Sequence, residues 1–573
     1  MEIKKEFTWI EKEFDGEKFE VAYRKRIPMP QTEDMFWGGW GYYGPLNPRT
    51  YEAAPGIICE QDVAVPLRDG TIIYTDIYRP DTTEKVPVIV AWSYYGKRPW
   101  DYKPFPTMGV PMGAISEMTK VEGPDPSYWC RQGYAVANPD PRGVGNSEGN
   151  LTMFGKEDGQ DGYDFVEWIA QQPWCNGSVG MSGNSMLAFT QYYIAAEQPP
   201  HLKAIAPWEG YSDVFRETYF EDGIPCVGFV DFACLFLGGQ NLVEDPCEMA
   251  RKYPFENKYW LSKKARPELI TCPAYICAGW SHIHLRGTVN VYKGIQHDNK
   301  WIRFHREFEW PDYYDKDNRE DLKKFFDRYL KGIHNGWELT PRVRLQVMDS
   351  YDQDYQTNRP EVEFPLPRTQ YEKLYLNAAD QSLNVAPVAE TASASYDAEE
   401  GFTTFTIQFN EDVEITGHSK LKLWVEAQGN DEMDLFITML KLSADDEFMP
   451  TWVFGQRHPG SWGKLRVSHR ALDETVDNTI VPIHSHLKEE KLSAGEIVPV
   501  EIEIYPISRI WHKGEKLQIR VAGHYIRDPW FEPFTWELNN KGTHVVHTGG
   551  EYDSYLQIPV IPARIQTETY TRR

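Results

Sequence analysis

The chain changes its mode of folding once, near Lys331-Gly332. Before that point short apolar runs alternate with helical stretches. The runs are Val86–Trp92, Tyr134–Ala137, Val179–Met181, Ala204–Ala206, Ala274–Ala278 and Trp301–Phe304. Continuous runs of this kind suit parallel strands buried on both faces. Between them, Gly162–Gln171 sets Phe165, Trp168 and Ile169 on one helical face, and Met186–Glu197 is halted by Pro199-Pro200. Strand–helix alternation predicts an α/β layer with a mainly parallel sheet. After Gly332 the pattern is strands only: Phe402–Ile407, Leu421–Val425, Leu435–Thr438, Val500–Ile504 and Leu517–Val521 each alternate apolar with polar. Half-polar strands at that spacing predict an antiparallel sandwich.

The 573 residues exceed what one core holds, and the pattern divides them. Residues 1–55 read as an aromatic, Gly- and Pro-rich arm around Phe36–Gly44. The catalytic-type α/β domain is expected over 56–209 and 269–335. Its alternation is interrupted at 210–268 by helical, aromatic sequence with no strand of the sheet, which predicts a cap. Residues 336–375, rich in proline, read as a connector, and 376–573 as the sandwich. Val63–Leu67 and Thr71–Tyr78 flank Asp69-Gly70, a hairpin signal.

Charge and composition narrow the function classes. Asp and Glu outnumber Lys and Arg 85 to 60, with no basic stripe, so nucleic acid is not an expected partner. No apolar run reaches the ~18 residues of a membrane span, and Met1–Glu6 is charged where a signal core would be apolar; a cytoplasmic protein without membrane partners is expected. The eight cysteines include no CxxC pair. They read as buried thiols in a reducing compartment, without structural zinc. Aromatics make up 14% of the chain, a content that both β domains and aromatic-walled pockets share.

The chemistry is carried by a few positions. Gly183-Asn184-Ser185-Met186-Leu187-Ala188 lies between a predicted buried strand and a predicted helix. A serine on such a turn needs little bulk two residues before it and shortly after it, and its hydroxyl is then lifted clear of the sheet. The same serine could simply cap the helix. Tyr95, in Trp92–Lys97 after an earlier strand, can donate its hydroxyl to an oxyanion as a backbone amide would; it could equally be an ordinary half-buried tyrosine. His305 follows Trp301–Phe304, and the order Ser185 then His305 leaves room for an acid between them. With fifteen histidines in the chain, one after a strand is not rare. His282, His284 and His297 offer the same chemistry from less favourable positions.

Together these segments resemble the superfamily of cocaine esterase and X-prolyl dipeptidyl-peptidase, which includes the α-amino-acid ester hydrolases. The likeness runs from about residue 60 to about 560. It is carried by Pro66–Gly70, Tyr94-Tyr95-Gly96-Lys97, Asp140–Gly149 (a D-x-R-G-x-G-x-S-x-G segment), Gly180–Ser185, and His305 with Trp310 and Phe325–Gly332. In the second half it is carried by Ile415-Thr416-Gly417, Leu423–Val425, Asp434–Phe436 and Ser468–Asp473. The resemblance implies an α/β hydrolase fold with a helical cap insertion, followed by an all-β, galactose-binding-like jelly-roll domain. It implies a serine hydrolase: Ser185 attacks an ester or amide carbonyl, His305 is the general base, and Tyr95 with the Met186 N–H holds the oxyanion. No cofactor or metal is implied. The expected partner is a small ester or amide, with an acyl esterase favoured over an X-Pro dipeptidyl-peptidase, and the arm and sandwich admit a homo-oligomer.

Two positions depart from the family. Met186 replaces the usual Tyr or Trp after the nucleophile, which matters little if only its N–H is used. The larger departure is the triad acid. The family places Asp two residues after a Trp at the end of the penultimate strand, but Gly279-Trp280-Ser281-His282 puts His282 there. A serine–histidine pair without its acid loses up to about 10⁴ in turnover. The end of the strand after the nucleophile helix offers Glu209 as a replacement, with Asp213 second; Glu209 could instead bind a backbone group or a substrate ammonium. Glu307 and Glu309 are expected to point elsewhere. A catalytically impaired binding protein on the same frame is the rival reading.

Overall fold

The structure is a computed structural model that describes residues 5–27, 44–98, 109–453, 456–525 and 536–562. The aromatic run Phe36–Tyr43 lies outside the described residues. The chain divides into two compact units. The first comprises 1–221, 225–342 and 529–537, and the second 222–224, 343–528 and 538–573.

The first unit is built on one long sheet. Its strands in chain order are β1 (Arg49–Ala54), β2 (Ile57–Pro66), β3 (Ile72–Pro80), β4 (Val86–Val90), β5 (Ala135–Asp140), β6 (Cys175–Asn184), β7 (Leu202–Trp208), β8 (Ala274–Gly279) and β9 (Lys300–His305). They pair in the order β1-β2-β3-β5-β4-β6-β7-β8-β9. The β1–β2, β2–β3 and β3–β5 pairs are antiparallel and the rest parallel. This is the α/β hydrolase fold. β4, β5 and β8 are buried along their whole length, which is why they read as unbroken apolar runs. The expected Asp69-Gly70 hairpin forms with Val65 opposite Ile73 and Pro66 opposite Ile72.

Helices α1 (Lys156–Ala170), α2 (Met186–Ala196), α3 (Leu285–Gly294), α4 (Glu309–Tyr314) and α5 (Lys316–Leu330) accompany the sheet. A Cβ on Gly180 of β6 would stand 2.8 Å from Leu330 and 3.0 Å from Phe326 of α5, so the missing side chain sets how closely that helix packs. Arg142 of the D-x-R-G segment clamps Asp161 of α1 through Nε and Nη2 at 2.7 and 2.8 Å.

The expected cap region adds no strand to this sheet. It holds the helices Gly228–Leu235, Pro246–Lys252 and Lys258–Leu261, while its strand Leu242–Glu244 pairs with Glu17–Lys25 of an N-terminal hairpin. Residues 222–224 within it group with the second unit. The arm likewise contributes strands, since Thr8–Phe14 pairs with Glu17–Lys25 and β1 joins the main sheet.

The second unit is a β domain. Val413–Gln428 pairs antiparallel with Val498–Trp511, Thr543–Thr548 and Tyr555–Ile561. Asp434–Leu442 pairs with Gly460–Arg466 and with Lys516–Ala522, and the latter also pairs with Phe402–Gln408. Leu421, Leu423 and Val425 are buried while Lys422 and Trp424 between them are not, the alternation that the sequence shows. The segment read as a connector is ordered differently: Val343–Met348 and Asp354–Glu361 form an antiparallel pair that belongs to this unit. All eight cysteines are free, seven of them buried. Among the described residues no helix is long and apolar enough to cross a membrane.

Candidate active site

The parallel strands β4, β6, β7, β8 and β9 end on the same side of the sheet, so the residues that follow them meet there. At the end of β6 the chain turns sharply into α2. Gly183 has φ 140° and Ser185 has φ 50°. A Cβ on Gly183 would lie 2.4 Å from Leu187 and 2.9 Å from the Glu122 carbonyl, so the low bulk expected two residues before the serine is obligatory. The Ser185 N–H donates to the Trp208 carbonyl at 3.0 Å, while its carbonyl accepts from Ala188 and Phe189 as the helix begins. Met186 opens α2, so its N–H lies at the end of the helix where no preceding turn supplies an acceptor.

Tyr95 comes from the loop after β4. The loop is tied down by Lys97, buried and bonded to Asp140 at 2.7 Å with Asp62 at 3.2 Å. The Tyr95 hydroxyl hydrogen-bonds with Ser185 and with Glu122. Burial, then the charges of Glu122 and Glu309, push its pKa well above the ordinary phenol value, so it stays a donor. Glu122 is itself buried, accepts from the Trp310 indole at 3.1 Å, and has its pKa driven well up by burial and then by Glu309.

Glu209, at the end of β7, is fully buried with φ 59°. Its carboxylate stands between two imidazoles: Oε1 is 2.8 Å from His305 Nε2 and Oε2 is 3.6 Å from His282 Nδ1. The 2.8 Å contact is out of line for a hydrogen bond. Gly279 makes room for this, because a Cβ there would stand 2.9 Å from Glu209 Oε1 and 3.3 Å from His282 Cβ.

The structure therefore brings Glu209 to His305, and Tyr95 to Ser185. Among the described residues His305 makes no hydrogen bond to Ser185. His305 Nδ1 donates to the Glu307 carbonyl at 3.1 Å, and Nε2 faces Glu209 with Asp312 Oδ2 at 3.6 Å. Nδ1 is thus engaged, while Nε2 stands beside carboxylates without a hydrogen bond. Asp312 is held by the buried Arg303 guanidinium and accepts from the Trp208 indole at 2.9 Å. Burial alone would raise its pKa, but Arg303 outweighs this and holds it down at about 2. Asp213 lies apart, paired with Arg216 and Lys264.

Sequence reasoning missed three members of the site. Glu309 does not point away: its Oε1 is 3.6 Å from His282 Nε2 and it is buried. Its pKa is raised well above normal by burial and by Glu209. His282, placed on the family's acid position, has two carboxylates beside it rather than none. Glu122 sits in a long loop without periodicity, and no spacing marks it. The His284 N–H reaches His282 Nδ1 at 3.2 Å. Donor atoms of His282, His284 and Glu309 lie within 4.8 Å of one another, a spacing that admits a cation.

Comparison with known proteins gives the family. Residues 69–241 match the family model of the X-Pro dipeptidyl-peptidase (S15 family), and 335–557 match that of the X-Pro dipeptidyl-peptidase C-terminal non-catalytic domain. A CocE/NonD family hydrolase from Staphylococcus aureus superposes with a TM-score of 0.83 and 36% identity, covering 88% of this chain and 94% of that one. Cocaine esterase of Rhodococcus sp. (strain MB1 Bresler) is 24% identical over 87% of this chain and 98% of its own length. An α-amino acid ester hydrolase shares the fold at TM-score 0.65 and 16% identity, over 90% of this chain and all of that one.

Proposed function

The chain belongs to the CocE/NonD family of hydrolases within the X-Pro dipeptidyl-peptidase superfamily, and on that footing we propose that it is a serine hydrolase acting through an acyl-enzyme on Ser185. The observation that carries this reading is the Tyr95 hydroxyl on Ser185, at a strand-to-helix turn held in the left-handed region. Ser185 Oγ bonds to the carbonyl carbon of an ester or amide while an imidazole at the strand ends takes its proton. Negative charge builds on the carbonyl oxygen, where the Tyr95 hydroxyl and the Met186 N–H receive it. Collapse expels the alcohol or amine, which takes the proton back, and water repeats the sequence on the acyl-enzyme.

An acyl esterase with an apolar or aromatic acyl pocket is the favoured activity. Half-buried Phe308 packs on His282 with ring centroids 4.8 Å apart and on Trp310 at 5.1 Å, which sets aromatic surface beside the reacting group. The rival reading, an impaired binding protein, leans on a missing acid. Glu209 and Glu309 beside the imidazoles take away that support.

A fluorophosphonate probe on wild type and Ser185→Ala tests the reading. Labelling of the wild type that vanishes in the variant is expected; a folded wild type that takes no label would favour the binding protein. Turnover of p-nitrophenyl esters against prolyl dipeptide anilides separates esterase from dipeptidyl-peptidase, with the esters expected to be the faster.

A further inference from the structure

We propose that Asn184, the residue before the nucleophile, is a positioning residue of the reaction: its side-chain amide and its backbone N–H pin helix α4 and the turn Lys120–Gly123 to the serine's own strand. This rests on the serine-hydrolase reading of the same site and adds a residue to it.

β6 carries the serine past the end of one of its neighbours. On the β7 side the Ser185 N–H still finds the Trp208 carbonyl at 3.0 Å. On the other side β4 ends at Val90, and its pairing with β6 stops at Met181. There the Asn184 N–H donates to the Glu122 carbonyl instead, at 3.1 Å. Glu122 stands in a turn closed by the Gly123 N–H on the Lys120 carbonyl at 3.2 Å. Lys120 Nζ ties that turn to the Ala91 carbonyl, just past β4, at 2.9 Å. The turn thus stands in for the strand that has ended. Glu122 holds φ 61° in it, a conformation that glycine or asparagine usually supplies in a turn.

The Asn184 side chain reaches toward the helix. It is fully buried, and Nδ2 donates to the carbonyl of Glu309, the first residue of α4, at 3.1 Å. Only the nitrogen of an amide can serve a carbonyl, so the orientation of the group is fixed. Oδ1 has no hydrogen-bond partner among the described residues. An apolar side chain of the same size would fill the space without burying an unmatched oxygen. The amide is therefore there for its donor.

Two further bonds close the ring. The Trp310 indole donates to Glu122 Oε1 at 3.1 Å, and the Tyr314 hydroxyl donates to the Gly123 carbonyl at 3.0 Å. Strand, turn and helix are joined pairwise, and Asn184 makes both joints of the strand nearest the serine. The parts it holds carry Glu122 and Glu309, and Glu309 Oε1 stands 3.6 Å from His282 Nε2. Without the donor, the first turn of α4 is released from the strand that ends in the nucleophile. A misplacement of about 1 Å is enough to cost about 10²-fold in rate. The Ser182 and Tyr313 hydroxyls, 2.8 Å apart, join the same strand and helix further in, so the fold is expected to survive the change.

The test uses full-length Asn184→Leu, Trp310→Phe and the double variant, read by p-nitrophenyl butyrate kinetics, the rate of fluorophosphonate labelling and thermal melting. In Asn184→Leu, kcat and labelling rate are expected to fall together by about tenfold to a hundredfold, with KM little changed and the protein folded. Since Asn184 and Trp310 act in one ring, the double variant is expected to be little slower than the slower single variant, whereas independent losses would multiply. If Asn184→Leu does not fold, Asn184→Ala, which also lacks the donor, takes its place under the same criteria. A fall in kcat of less than about tenfold, a change confined to KM, or losses that multiply overturns the assignment while the Ser185 reading stands. Labelling that persists in Ser185→Ala, or a folded wild type that takes no label, overturns both.

Discussion

Two imidazoles flank one buried carboxylate, and they live in different surroundings. On the β9 side, His305 is locked by a backbone carbonyl, Glu209 and the Asp312–Arg303 pair. On the β8 side, His282 stands 3.6 Å from both Glu209 and Glu309 and accepts the His284 N–H at 3.2 Å. The contrast can be broken at several points.

The largest effect is expected at the residue both sides share. Glu209→Gln removes the charge that faces either imidazole, and ester turnover should fall by about 10³–10⁴ while circular dichroism stays that of the wild type. A rate within tenfold of wild type would remove Glu209 from the mechanism. Next comes the reactive side alone. Tyr95→Phe deletes one oxyanion donor, so kcat should drop by about 10²–10³ with KM little changed. A change confined to KM would make Tyr95 a substrate-binding residue only.

The frame should answer in stability rather than in rate. Asp312→Asn leaves the buried Arg303 guanidinium uncompensated, and denaturant unfolding should show a loss of about 3–5 kcal/mol. The wild type should also carry the pair's signature in acid. Asp312 has a folded pKa of about 2, depressed from 3.8. Its contribution is therefore present above pH ~4 and is lost as pH falls toward ~2. An acid unfolding midpoint unchanged in Asp312→Asn would contradict this. The smallest effect is expected from chelation. EDTA should leave ester turnover unchanged, because acyl transfer through Ser185 needs no metal. Loss of activity restored by zinc would make that group a metal centre and end the contrast.

How much of this the sequence discloses differs by level. The strand–helix alternation and its switch at Gly332 announce both layers, because burial on two faces and burial on one face leave different hydrophobic periods. The serine turn is legible for a similar reason: Gly183 is demanded by a 2.4 Å approach to Leu187 that no larger residue survives. Glu209 is legible from the strand it ends. Which imidazole serves the serine is not legible, since His305 ends β9 opposite Gly279 and His282 follows β8 three residues later, so both lie at the same edge of the sheet. Glu122 and Glu309 escape because nothing in local spacing reports a carboxylate brought in by a loop or by the first turn of a helix. The boundary at 342 escapes because Val343–Met348 pairs inside the β domain while proline-rich neighbours disguise it.

Ser185 keeps its hydroxyl in place only by holding a backbone angle that disfavours any side chain, at a cost of about 1–3 kcal/mol. A glycine there would relax the turn at no such cost. The nucleophile is thus maintained against the grain of folding itself, and drift toward a sturdier fold at this one position leads straight to an inert protein.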